Sequence, residues 1–165
     1  VDCAVESGVF SGVVVSSERD LRPDLPEPVG FHQRPVLLSQ PGVGVMAVVM
    51  AILTERKFAD ETFCVLWPTT PTRTPEVLRA MRKTFYAMVS LHSVFAQRDP
   101  CGHWRHDGTA LFMDTLEFLR RFTLDLGLDD PVFPVTDSVD VNTAEDLARA
   151  EAVVRGRRHA VESAA

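Results

Sequence analysis

The chain has few cysteines, a deficit of basic residues and no long apolar run. Its three cysteines, Cys3, Cys64 and Cys101, are odd in number and widely spaced over 165 residues. Such spacing offers no disulfide framework and suits a reducing compartment, so a cytoplasmic location is expected. Lys and Arg number 17 against 23 Asp and Glu, a net charge of -6, with a sequence pI near 5.3. A nucleic-acid polymer needs a basic face that releases counterions. The one tight basic cluster, Arg155, Arg157 and Arg158, reads instead as the solvated end of a last helix. Nucleic acid is excluded as the main partner, although a few local groups can still hold one small anion. The longest apolar stretch, Val43 to Leu53, has 11 residues and lies mid-chain, too short for a bilayer and misplaced for a leader. No repeat or low-complexity tract is present, and no serine sits in a Gly-x-Ser-x-Gly elbow.

What is present is a 45% hydrophobic chain of a length that fits one domain, burying about 70% of its unfolded surface. Short apolar runs alternate with helical patterns. Gly12–Ser16, Thr62–Trp67, Tyr86–His92, Thr109–Met113 and Val132–Val135 read as strands, the first two as buried ones. Val1–Phe10 reads as the end of a helix, and Val43–Arg56 as a helix with a broad apolar face. A helix follows the Thr74-Pro75 cap, and another opens at Asp114 or Thr115. A last one, Ala144–Val154, opens behind a Thr143/Asp146 capping box. Arg19–Gln33 and Gln97–Gly108 read as irregular. Strands alternating with helices predict an α/β domain with a mostly parallel sheet.

In such sheets ligands sit beyond the carboxyl ends of the strands. That rule selects three loops: Ser16-Ser17-Glu18, Pro68 to Arg73, and Asp140 to Thr143. The second reads either as a proline-rich turn capping a helix or as a binding loop. In the latter case prolines fix the directions of the Thr69 and Thr70 hydroxyls, and Arg73 offers a fork for phosphate or carboxylate. Asp140 and Asn142 read either as a lead into the Thr143 cap or as oxygen ligands. Asp99, Cys101, His103, His106 and Asp107 form a second constellation with metal-ligating atoms, but as one compact cluster without the paired spacing of a four-ligand zinc site. His32 and His92 have no neighbours that suggest a triad.

Five segments, in order, resemble the acylneuraminate cytidylyltransferase (CMP-sialic acid synthetase) family. The loop Trp67-Pro68-Thr69-Thr70-Pro71-Thr72-Arg73 looks like its Q-P-T-S-P-L-R loop. The opening ESGVFSGVVVSSE resembles ESGLFDRVVVSTD, and Phe31-His-Gln-Arg34-Pro35 resembles F-x-x-R-P. Arg105-His106-Asp107-Gly108-Thr109-Ala110 resembles R-x-N-G-A-I, and Val139-Asp140-Val141-Asn142-Thr143 resembles I-D-I-D-T. The resemblance covers nearly the whole chain. It implies a Rossmann-like, glycosyltransferase-A-like sheet and an enzyme that couples CTP to a nine-carbon keto-acid sugar, releasing pyrophosphate. It also implies Mg²⁺ as the cofactor and a homodimer in which residues 95–109 cross to the partner.

Carried over residue by residue, the resemblance makes Asp140 the catalytic metal ligand, with Asn142 in place of the second aspartate. Arg34 and Ser16 fall to the nucleotide. Trp67 (for the family glutamine), Pro68, Thr69, Thr70, Arg73, Gln97, Asp107 (for asparagine) and Gly108 fall to the sugar. Pro41–Gly44 replaces a polar segment and reads as a loop entering a helix. The family's glycine-rich basic loop, which cradles the triphosphate, and its opening strand would lie ahead of Val1, so an N-terminally truncated domain is expected. The alternative is a degenerate relative that binds a ligand or partner without catalysis.

Overall fold

The computed structural model describes residues 1–59 and 61–163, with the side chains of 158 and 160–162 left aside. Helix α1 (Asp2–Ser7) leads into β1 (Val14–Ser17), which pairs in parallel with β2 (Gly30–Gln33). After α2 (Val45–Glu55) come β3 (Thr62–Val65), α3 (Pro75–Phe85), β4 (Ser90–Phe95), β5 (His106–Asp114), α4 (Thr115–Arg121), β6 (Val132–Val135) and α5 (Ala144–Glu162). The larger sheet has the order β3-β5-β4-β6. β5 runs antiparallel to both neighbours, while β4 and β6 are parallel. The chain is therefore mixed α/β. The mostly parallel sheet expected from the alternation is corrected: β3, β4 and β6 share one direction and β5 opposes them. β5 is buried along most of its length, and a strand covered on both faces carries no sequence mark of its direction.

Period-two alternation along β5 builds two cores. Ala110 and Phe112 face Leu78, Met81 and Phe85 of α3 and Leu91 of β4. Leu111 and Met113 face Val49 and Leu53 of α2 and Phe118 of α4. The sheet is thus sandwiched between α3 on one face and α2 with α4 on the other. Phe112 stacks on Phe10 at 5.9 Å between ring centroids, tying the segment after α1 to the same core. Arg79 of α3 closes the end of α1 by donating to the carbonyls of Ser7 at 3.0 Å and Glu6 at 2.9 Å.

The two sheets share no strand pair among the described residues. Between them lies a cavity of about 350 Å³, bordered by Gly12–Val14 on one side and Thr62–Leu66 on the other.

Several predicted boundaries shift. Gly30–Gln33, read as loop, is a strand. The strand placed at Tyr86–His92 begins at Ser90, because α3 runs to Phe85 and a turn follows in which Tyr86 and Val89 are exposed. β5 starts at His106 rather than Thr109, and α5 continues past Val154 to Glu162. No described helix is long and apolar enough to cross a membrane.

Candidate functional site

A cavity of about 660 Å³ is lined by Trp67, Thr69, His106, Gly108 and Asp140, together with the first residues of α2 and the segment after α4. Trp67 and Thr69 follow β3, Asp140 follows β6, and His106 and Gly108 open β5, which runs the other way. The cavity therefore sits at one end of the sheet, beyond the carboxyl ends of β3 and β6, as the rule for open sheets expects.

Two of the three selected loops meet there. Val141 N–H donates to the Thr69 carbonyl at 2.8 Å, and Val139 N–H donates to Thr72 Oγ1 at 3.0 Å. Thr70 Oγ1 donates to the Asp107 carbonyl at 3.2 Å. Gly108 makes this closeness possible. Its φ is +74°, and a Cβ there would lie 2.6 Å from Thr70 Oγ1 and 3.8 Å from Asp140 Oδ1. Only glycine has neither the φ penalty nor the clash.

Asp140 is held from one side. Its Oδ2 accepts from Asn142 Nδ2 at 2.9 Å, while Oδ1 is buried without a hydrogen-bond partner. An orphaned carboxylate oxygen on a cavity suits a hard cation, and Mg²⁺ takes only one or two carboxylates when phosphate and water fill its other positions. Asn142 presents its NH₂ to Asp140, so it acts as a support of that carboxylate; to share a cation its amide would have to turn over. The capping box has formed: Thr143 Oγ1 accepts from Asp146 N–H at 3.2 Å, and Asp146 Oδ2 accepts from Thr143 N–H at 3.0 Å.

Arg73 does not present a free fork. Its Nε donates to the Thr109 carbonyl at 2.6 Å, and Nη2 to the Trp67 carbonyl at 2.7 Å and the Gly108 carbonyl at 3.3 Å. Burial pulls its pKa down, an effect opposed by Cys3, Cys64 and Asp107, yet a guanidinium stays charged. The residue ties the β3–α3 loop to β5 through these donors. Asp107 likewise turns inward: fully buried, it accepts from Thr109 N–H at 3.0 Å and Thr109 Oγ1 at 2.8 Å. Thr70 is buried as well. Pro68 is exposed, and Gln97 lines a different cavity of about 510 Å³ with Arg98, Arg105 and Ser138.

Ser16 and Arg34 come together, but elsewhere. Ser16 Oγ lies 2.8 Å from His32 Nδ1, and Arg34 Nη2 donates to the Ser16 carbonyl at 3.3 Å. His32 is buried, with its Nε2 3.5 Å from Glu55 Oε1. This cluster at the carboxyl ends of β1 and β2 does not line the Trp67 cavity.

In the sequence His106 falls in the Cys101–His103–His106 constellation and at the unassigned position of the R-x-N-G resemblance. Cys101 and His103 are exposed on a turn whose Asp99 Oδ1 accepts both of their N–H groups at 2.9 Å. Among the described residues no group of three His, Cys, Asp or Glu is arranged to hold a metal. His106 instead faces Trp67, ring centroids 4.7 Å apart, and His92 at 5.8 Å. Its Nδ1 accepts the Gly108 N–H at 2.9 Å. Burial lowers its pKa against the pull of Asp107 and Asp140, and burial drives that of His92 down to about 4. The usable signal was position: a histidine two residues before a glycine at the mouth of a buried strand.

The sequence matches no protein-family model and no curated protein.

Proposed function

We propose that the chain belongs to a nucleotidyltransferase of the acylneuraminate cytidylyltransferase type, with a Rossmann-like, glycosyltransferase-A-like sheet, CTP and a nonulosonic acid as substrates and Mg²⁺ as cofactor. The observation that carries this reading is the convergence of Trp67, Thr69, Gly108 and Asp140 on one cavity of about 660 Å³. These are residues that the resemblance assigns to sugar and metal, and the volume suits a small ligand.

In this reaction the sugar's anomeric hydroxyl attacks the α-phosphorus of CTP. The new P–O bond forms as the bond to pyrophosphate breaks, and the hydroxyl proton leaves to a base. Trp67 supplies a wall that stacks on the sugar and one N–H donor. Thr69 supplies a hydroxyl. Asp140 Oδ1 supplies negative charge beside Gly108, 3.8 Å from where a Cβ on that residue would sit. When bound, Mg²⁺ neutralises charge on the triphosphate and the leaving group, and Asp140 Oδ1 is the oxygen that would hold it.

The test is CTP-dependent pyrophosphate release with sialic, legionaminic and pseudaminic acids, on the natural polypeptide. Release with one of them is expected, and Asp140→Ala abolishes it. No release with any of the three rejects catalysis, and unchanged turnover in the variant removes Asp140 from the site. Light scattering on the same protein tests the homodimer. A second reading, ligand binding without catalysis, is favoured by one observation: among the described residues that line the cavity there is no Lys or Arg to meet a triphosphate. Sugar-acid binding with no turnover would select it.

A further inference from the structure

Two residues that line the main cavity, His106 and Asp140, each carry a buried side-chain atom with no hydrogen-bond partner, Nε2 and Oδ1. A buried polar atom left unpaired costs free energy and calls for an explanation. The tautomer of His106 is fixed by the backbone. Because Nδ1 accepts the Gly108 N–H at 2.9 Å, the ring proton sits on Nε2, which makes that atom a donor with no lone pair for a metal. Asp140 Oδ1 is an acceptor, and Asp140 acts on the His106 ring through its charge. A donor and an acceptor on two residues that line one cavity, both unsatisfied, match a single chemical group that accepts one hydrogen bond and gives one.

We infer that His106 Nε2 and Asp140 Oδ1 form a clamp for one hydroxyl of the bound ligand. The hydroxyl oxygen accepts a hydrogen bond from Nε2–H, and its O–H donates one to Oδ1. A carboxylate oxygen has two lone pairs, so the hydroxyl and a cation are compatible on it. The clamp makes His106 a positioning and specificity residue, with Gly108 N–H setting its tautomer. It rests on the sugar-acid reading only for the choice of the first probe.

The test combines an NMR measurement with a mutant cycle. Long-range ¹H–¹⁵N correlation on the free chain reads the His106 tautomer; Nε2–H is expected, and Nδ1–H overturns the inference. Affinity is then measured through Trp67 fluorescence for N-acetylneuraminic acid and its single-deoxy analogues. His106→Asn keeps an acceptor for Gly108 N–H and removes the Nε2 donor, while His106→Gln restores a donor of similar reach. One deoxy analogue should bind wild type about tenfold more weakly than the parent and bind His106→Asn no more weakly than the parent does. His106→Gln should recover most of the loss. A merely structural histidine would lower all affinities together. If N-acetylneuraminic acid does not bind wild type, cytidine and its 2′-deoxy and 3′-deoxy forms enter the same cycle. A His106-dependent loss there keeps the clamp and rejects the sugar-acid reading. No His106-dependent hydroxyl effect in either series overturns the clamp, whatever the transfer assay returns.

Discussion

Arg73 Nε donates to the Thr109 carbonyl at 2.6 Å across 36 residues of sequence, which fastens the β3–α3 loop to the strand that carries Gly108. Arg73→Ala leaves that carbonyl and those of Trp67 and Gly108 without their charged donor. Hydrogen bonds to charged groups are worth about 1.5–3 kcal/mol, and buried carbonyls left unpaired add to the loss. Urea denaturation should show Arg73→Ala less stable by about 2–4 kcal/mol. Unchanged stability with a fall in ligand affinity alone would return Arg73 to a binding role.

Stability should decline in mild acid because of His92. Its ring is fully buried and desolvation holds its pKa at about 4, with Asp130 pulling upward and His106 and Arg121 downward. The unfolded chain takes up this proton below about pH 6.5, whereas the folded chain does so only near 4. The unfolded state therefore binds more protons between those values, and stability falls as pH drops from about 6.5 to 4, by about 3 kcal/mol at most. His92→Gln should flatten that part of the stability–pH curve. A wild-type curve level over this range rejects the assignment.

Gly108→Ala combines a left-handed φ with a Cβ 2.6 Å from Thr70 Oγ1. The φ penalty alone is about 1–2 kcal/mol, and the displaced hydroxyl adds to it. A melting temperature several degrees lower is expected, with binding weakened as the new methyl approaches Asp140 Oδ1. A variant that melts with wild type would show that the loop can retreat.

Asp130 gathers Arg121 (2.8 and 2.7 Å) and the Gly127 N–H (2.7 Å). Burial raises its pKa, but these donors and the Arg121 charge outweigh it and hold the carboxyl below its ordinary value. Removing one partner of such a pair strands the other. Asp130→Ala should cost about 3 kcal/mol in chemical denaturation, whereas Asp130→Ala with Arg121→Met should recover part of that loss.

Signals confined to neighbouring residues were legible in the sequence. The Thr74 cap accepts from Val77 N–H at 3.3 Å ahead of Pro75, Asp114 caps α4 through Glu117 N–H at 2.9 Å, and the Thr143/Asp146 box is reciprocal. Val132–Val135 forms the strand expected from its apolar run. What sequence did not carry was direction and partnership. β5 reads as apolar whichever way it runs. The exposed apolar residues from Tyr86 to Val89 imitate a strand until helix α3 is seen to end at Phe85. Residue type pointed to two loops that do meet at one cavity, Pro68 to Arg73 and Asp140 to Thr143, but not to which of their polar groups face it. Arg73, Thr70 and Asp107 have the chemistry of ligand contacts and spend it on the protein's own backbone and Thr109. His106 has no motif of its own and lies on the cavity, because only the pairing of β5 brings it to Trp67.

The unpaired edges of β1 and β3 also bear on how the chain behaves in company. A free strand edge is a template for a strand from another molecule, and exposed edges favour aggregation. Here Gly12–Val14 and Thr62–Leu66 border one shared cavity, so a strand that came to either segment from that side would meet residues of both sheets.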